Sequence, residues 1–329
     1  MTAIAGTVQA FFTERLIGQR QASPRTIAAY RDTVRLLLTF TAKRNAVSPD
    51  QLDFADLNAP TISAFLDHLQ TDRNNSAATR NARLAAIHSL FRYAAWRHPE
   101  HADDITRVLA IPTKRHDHTI VTFLTDAEAD ALLAAPDQRT RTGRRDHALL
   151  LLAIQTGLRA AELTGLTCQD VNLGTAAYIA CHGKGRKDRI TPLTPATVAV
   201  LRTWLAERAG TPSDPLFPTN RGTRMSADAL TQRVALHTTS ARATCPTLTG
   251  KMVTPHVLRH TAAMRLLHAG VDITVIALWL GHENVTTTQT YLNADLALKQ
   301  QALDRTTPLG GNPGRYRPPA RLLTFLEGL

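Results

Sequence analysis

The apolar periodicity of this chain breaks between His98 and Thr122, and that break constrains the fold more than any other feature. Before it, apolar residues recur at helical spacing. After it, helical and strand-like segments alternate. Val8, Phe11, Phe12 and Leu16 make a first stripe. Ser23 and Pro24 supply a cap and a first-turn proline for a second helix, on which Ile27, Tyr30, Val34 and Leu37 share a face. Ala59-Pro60 opens a short third helix carrying Ile62, Phe65, Leu66 and Leu69. The polar turn Arg73-Asn74-Asn75-Ser76 leads into a fourth, with Leu84, Ile87, Phe91 and Ala94 inward. These stripes are read as core. The polar positions of the fourth helix, Arg80, Asn81, Arg83, His88 and Arg92, read equally as a solvated face or as one that tracks phosphates. Inside the break, Pro99 and Pro112 interrupt helix and Lys114 to His118 is polar, so residues 101–118 are expected to be an interdomain linker.

Beyond the linker, Thr125 precedes the acidic turn Asp126, Glu128 and Asp130, which suits a helix N-terminus. A helix ending near Gln155 is followed by Gly157, a natural left-handed terminator. Residues 177–193 read as a β-hairpin with Gly183-Lys184-Gly185 at its turn. Thr254-Pro255 starts another helix and Gly270 ends it; Asp272 and Gly281 bracket the next. Past Thr307 the chain is loop-like, with one short apolar segment from Leu322 to Leu329. The expected fold is mainly α with a small β-hairpin or sheet. It has a helical domain at 1–100, the linker at 101–118, a mixed α/β domain at 119–306 and a C-terminal tail at 307–329. At 329 residues and 43% hydrophobic, the chain can fill two cores.

The formal charge is +11, spread over both halves. Such a field attracts polyanions, which makes nucleic acid the leading partner class. The three cysteines are widely spaced and form no CxxC pair, which fits a reducing compartment. The N-terminus has no basic leader pattern, and no apolar run approaches the roughly 20 residues of a membrane helix. A cytoplasmic, nucleoid-associated protein without membrane contact is expected.

Four segments carry candidate chemistry. In Thr156-Gly157-Leu158-Arg159-Ala160-Ala161-Glu162-Leu163, Arg159 follows a glycine turn at a helix start, a good place for a phosphate, with Glu162 one turn on as a brace. Lys184 sits between two glycines at the hairpin tip, where its ammonium is free to reach; a solvated turn lysine is the plainer reading. His256, Arg259 and His260 share one helical face, with Val257, Leu258, Ala262 and Leu266 directed to the core and His260 expected to be structural. Arg259 on that face argues against a metal at HxxxH, and no metal or cofactor is expected. Tyr291 follows His282 by nine residues. A phenol with a pKa of roughly 10 needs cationic neighbours to act as a nucleophile at neutral pH.

In register, these segments resemble the tyrosine site-specific recombinases of the phage integrase family. That pattern is an arginine in TGLRxxEL, a lysine in a GKGxKxR hairpin, HxLRH, then LGH and a nine-residue step to tyrosine. The matching positions are Arg159, Lys184, His256 with Arg259, His282 and Tyr291. The resemblance extends to SPRTIAAYRDTVRLLLTF, which looks like the family's helical core-binding domain, and it covers nearly the whole chain. It is closer to compact, Xer-like or mobile-element recombinases than to long phage integrases.

The resemblance implies that Tyr291 attacks a DNA phosphodiester, giving a 3′-phosphotyrosyl enzyme and a free 5′-hydroxyl. Arg159 and Arg259 clamp the non-bridging oxygens, Lys184 protonates the leaving oxygen, His256 helps move the nucleophile's proton and His282 orients the phosphate. It implies a clamp on double-stranded DNA, four protomers on two synapsed sites, and a monomer or weak oligomer when free. Accessory or partner recombinases stay open. Residues 308–329 are a candidate for docking on a neighbour. The competing expectations are type IB topoisomerase action, metal-dependent DDE transposition using Glu162, Asp170 and Asp188, and a non-catalytic DNA-binding accessory protein.

Overall fold

The computed structural model describes residues 3–115, 121–182, 188–281 and Thr288. The chain divides into two compact units, residues 1–118 and 119–329. The first is helical. α1 (Ala3–Ala10) continues into a π-helical stretch, Phe11–Gln19. α2 (Pro24–Asn45) starts with Pro24 after Ser23, whose hydroxyl accepts from the Thr26 N–H at 3.2 Å. α3 (Ala59–Thr71) and α4 (Ala77–Ala94) are capped in the same way by Asn58 and Ser76. Each cap satisfies an N–H that the first helical turn leaves without a partner. Leu37, Ile62, Phe65, Leu66, Leu69, Leu84, Ile87 and Phe91 close one core, the stripes expected from periodicity. Phe11 and Leu16 form a second cluster with Val34 and Leu90, and the Phe11 ring stacks on Tyr30 with centroids 6.3 Å apart.

The expected linker is partly helix. Ala102–Leu109 form α5, entered through a 3-10 turn that begins at Pro99. Proline suits the first turn of a helix, so Pro99 starts this element and does not break one. Ile105 and Val108, three apart, are buried in the first unit's core. Two apolar residues make too short a stripe to signal a helix in the sequence.

The same region redirects α4. His88 Nε2 lies 3.1 Å from the Val108 carbonyl. The Asn81 side chain donates to the Lys114 carbonyl at 2.7 Å and accepts from the Lys114 N–H at 3.0 Å. Arg80 is buried and approaches the Pro112 carbonyl at 3.5 Å. Three of the five polar positions on α4 therefore bind α5 or the chain that follows it, a role that neither a solvated nor a phosphate-tracking face anticipates.

In the second unit, α6 (Asp126–Ala134) begins with a capping box of Thr125 and Glu128. α7 (Arg141–Thr156) is the central element, packed against α6, α9 (Pro195–Arg208) and α11 (Pro255–His268). α8 (Ala160–Gly165) follows the turn at Gly157. A three-stranded antiparallel sheet runs in the order β1 (Val171–Asn172), β2 (Tyr178–His182), β3 (Asp188–Pro192). Cys181 pairs with Arg189 and His182 with Asp188, so β2 and β3 are the arms of the expected hairpin. β1, two residues long, had no sequence signal. α10 (Ala227–Ala241) and α12 (Ile273–Leu280) are the remaining α-helices among the described residues of this unit. Thr254 caps α11, Gly270 follows it at φ +80°, Asp272 caps α12 and Gly281 ends α12 at φ +66°, as the sequence indicated.

One charged group is sealed inside this unit. Asp146 is fully buried and receives Arg145 at 2.7 Å, Arg233 at 2.5 Å and His237 at 2.8 Å. A buried carboxylate needs such partners, and these tie α7 to α10. Among the described residues, no helix is long and apolar enough to cross a membrane.

Candidate functional site

The site is assembled where the ends of α7 and α12 meet. Gly157 closes α7 in the left-handed conformation, φ +64°, and its N–H returns to the Ala153 carbonyl. A Cβ at this position would lie 2.7 Å from Leu280 Cδ2 and 3.0 Å from Ala262 Cβ. Only glycine permits both the turn and this approach of α7 to α11 and α12. The turn delivers Arg159 as the N-cap residue of α8.

Arg159 and Arg259 then reach the same helix end. Arg259, on the buried face of α11, donates through Nη1 to the Gly157 carbonyl at 2.6 Å and through Nη2 to the Leu280 carbonyl at 2.8 Å. Arg159 donates through Nη2 to the Gly281 carbonyl at 2.8 Å. Two guanidiniums thus hold consecutive carbonyls at the C-terminus of α12, where carbonyls lack helical partners and the dipole favours cations. The Arg159 side chain remains 42% exposed, which leaves guanidinium surface open to an anion.

Glu162 is bound to Arg159. It accepts from the Arg159 N–H at 2.8 Å and from Arg159 Nη1 at 2.8 Å, and from Arg189 at 3.1 and 2.7 Å. Burial alone would raise its pKa, but the Arg189 hydrogen bonds and those from Arg159 outweigh it and bring the carboxyl down to about 2. The brace expected of Glu162 is thus shared by a second arginine, and the three side chains form a half-buried triad. Arg189 ends the hairpin sequence Gly183 to Arg189. It stood in the sequence pattern but not among the candidate residues, because nothing in one dimension brings β3 against α8.

His256 lies in the first turn of α11 and faces solvent, with its ring 4.0 Å from that of His260. Partial burial, then the charge of Arg259, hold its pKa below the ordinary imidazole value, so at neutral pH it is an uncharged base. His260 is half-buried, and on the core face Leu267 is buried more deeply than the expected Leu266. Lys184, His282 and Tyr291 lie outside the described residues. The structure thus brings Arg159 and Arg259 together with Glu162 and Arg189, and sets His256 one helical turn before Arg259.

A carboxylate triad for metal ions does not form from the described groups. Glu162 is taken by two arginines, and Asp170 caps its own turn through the Thr167 N–H and hydroxyl, both at 2.7 Å. No three His, Cys, Asp or Glu side chains converge among the described residues.

Residues 122–297 match the phage integrase family, and residues 10–98 match the phage integrase N-terminal SAM-like domain. The chain belongs to the phage integrase family. It is 53% identical over 327 residues to "Putative integrase/recombinase y4rC" of Sinorhizobium fredii, covering 99% of this chain and 98% of that one. It is 32% identical to the tyrosine recombinase XerC of Pelobacter propionicus, covering 92% and 95%. Among solved structures, it is similar to the XerH site-specific recombinase bound to its palindromic difH substrate (TM-score 0.66, 21% identity, 91% and 84% covered). It is also similar to the Tn1549 transposon integrase in complex with transposon right-end DNA (TM-score 0.67, 17% identity, 91% and 98% covered). These two likenesses speak for the fold. As a phage integrase family member, the protein is a tyrosine recombinase, and its function is site-specific DNA recombination.

Proposed function

We propose that Arg159, Lys184, His256, Arg259, His282 and Tyr291 are the catalytic set of this recombinase. The observation that carries the proposal is the meeting of Arg159 and Arg259 on the carbonyl end of α12, immediately before His282 in the chain. Two guanidiniums fixed at one helix end, with the Arg159 side chain 42% exposed, suit the two non-bridging oxygens of a phosphodiester. In the forward step a bond forms between the Tyr291 oxygen and phosphorus while the bond from phosphorus to the 5′-oxygen breaks. His256, uncharged at neutral pH, takes up the phenolic proton, and Lys184 gives a proton to the departing 5′-oxygen. His282 orients the phosphate. Attack of a partner strand's 5′-hydroxyl on the phosphotyrosine reverses these transfers and restores the backbone, so bond energy is conserved without a nucleotide cofactor.

On this reading residues 119–306 are the catalytic domain, the helical unit is the core-binding domain, and residues 307–329 are a tail that docks on a neighbouring protomer. Double-stranded DNA is the substrate, and four protomers act on two synapsed sites. The test is covalent trapping on nicked suicide DNA carrying the target site. Wild type is expected to give a protein–DNA adduct in the presence of EDTA, and Tyr291→Phe none. An adduct with the Phe variant would reassign the nucleophile, while site-independent relaxation of supercoiled DNA would favour a topoisomerase.

A further inference from the structure

Arg189 is placed to control the phosphate clamp without being part of it. Its guanidinium faces both oxygens of Glu162, at 3.1 and 2.7 Å, and the same two oxygens receive Arg159. Glu162 is nearly sealed, 7% exposed, and the Arg189 side chain is 13% exposed. All side-chain hydrogen bonds that Arg189 makes among the described residues go to Glu162. On its other side Arg189 fills the space beside Gly281: a Cβ there would lie 2.7 Å from Nη1 and 3.3 Å from Cδ. The carbonyl of that glycine accepts from Arg159. Arg189, on β3, therefore abuts both of the groups that fix Arg159.

Charge gives this contact its consequence. One carboxylate shared by two guanidiniums leaves the triad at +1, so Arg159 keeps an unneutralised charge to offer an anion. Without Arg189, Glu162 and Arg159 become a closed neutral pair, bound to each other in a half-buried setting where such attractions are strong. Arg159 would then be both less free and less positive toward a phosphate.

We propose that Arg189 is a positioning residue of the recombination reaction, one that shares Glu162 with Arg159 and so keeps the Arg159 guanidinium aimed and charged for the scissile phosphate. This rests on the assignment of Arg159 to that phosphate.

The experiment compares cleavage rates of wild type, Arg189→Gln and Arg189→Lys on two suicide substrates. One carries the normal scissile phosphate, and the other a methylphosphonate that replaces a charged non-bridging oxygen with a neutral methyl group. Removing one donor to a developing oxyanion costs on the order of 10²–10³-fold, so a residue acting through that donor is expected to cost roughly 10- to 100-fold on the normal substrate. Lys, which restores the charge without the fork, is expected to lie between Gln and wild type. On the neutral substrate, where a positive clamp has little to act on, the variants should approach the wild-type rate. A Gln variant as fast as wild type on normal DNA overturns the proposal, and so does one equally impaired on both substrates, since a structural defect ignores the phosphate's charge. If Gln at this position prevents folding, the Lys variant decides by the same two comparisons. Absence of an adduct with wild type on both substrates would instead sink the catalytic assignment itself.

Discussion

Glu162 is an anion because two guanidiniums and a backbone N–H make it one, against the effect of its burial. Its folded pKa of about 2 lies below the ordinary value near 4.5, a gap equivalent to roughly 3 kcal/mol. A depressed carboxyl contributes stability that is complete above its unfolded pKa and is lost as pH falls through its folded one. Glu162→Gln should therefore be less stable than wild type at pH 7, with the difference shrinking as pH drops from about 4.5 toward 2. Urea unfolding of both proteins across that range measures it, and a gap independent of pH would mean the carboxyl is not held ionised. At this scale the sequence identified residue types well. Arg159, His256 and Arg259 are each marked by a local box. Arg189 was not singled out, because its importance comes from Glu162, 27 positions away in the chain and 2.7 Å away in space.

Elements were legible where capping chemistry and a long apolar stripe agreed, as in α2, α4 and α11. They were not legible where the stripe was short: α5 rests on Ile105 and Val108, and β1 is two residues long. The junction of α7 and α12 allows a sharper test. Gly157→Ala combines a left-handed φ with a Cβ 2.7 Å from Leu280, and overpacking plus backbone strain is expected to cost about 2–4 kcal/mol. Gly222→Ala is the control, since Gly222 is also left-handed, at φ +78°, but has nothing within 4 Å of its Cβ position. It should cost only the backbone share, about 1 kcal/mol. Urea midpoints of the two variants separate strain from contact, and equal losses would show that the approach of α7 to α12 is not tight.

For the whole molecule, the charge of +11 belongs with a DNA substrate. Binding of duplex DNA should weaken by at least about 10³-fold between roughly 50 and 200 mM salt if some six to ten phosphates are contacted. Fluorescence anisotropy over that range measures the slope, and a flat response would remove the electrostatic basis of binding. The division into a helical unit and a mixed unit was written in the chain by the change in periodicity, because helical and strand spacing are local properties of consecutive residues. The family was written there too, because its boxes are short and keep their order. Other features came only with the tertiary structure: the helix inside the expected linker, the turning of Arg80, Asn81 and His88 onto that helix and the chain after it, and the sharing of Glu162 by arginines from the cap of α8 and from β3. Each depends on which surfaces meet once both cores have closed, and a linear pattern carries no record of distances between segments that are remote in sequence.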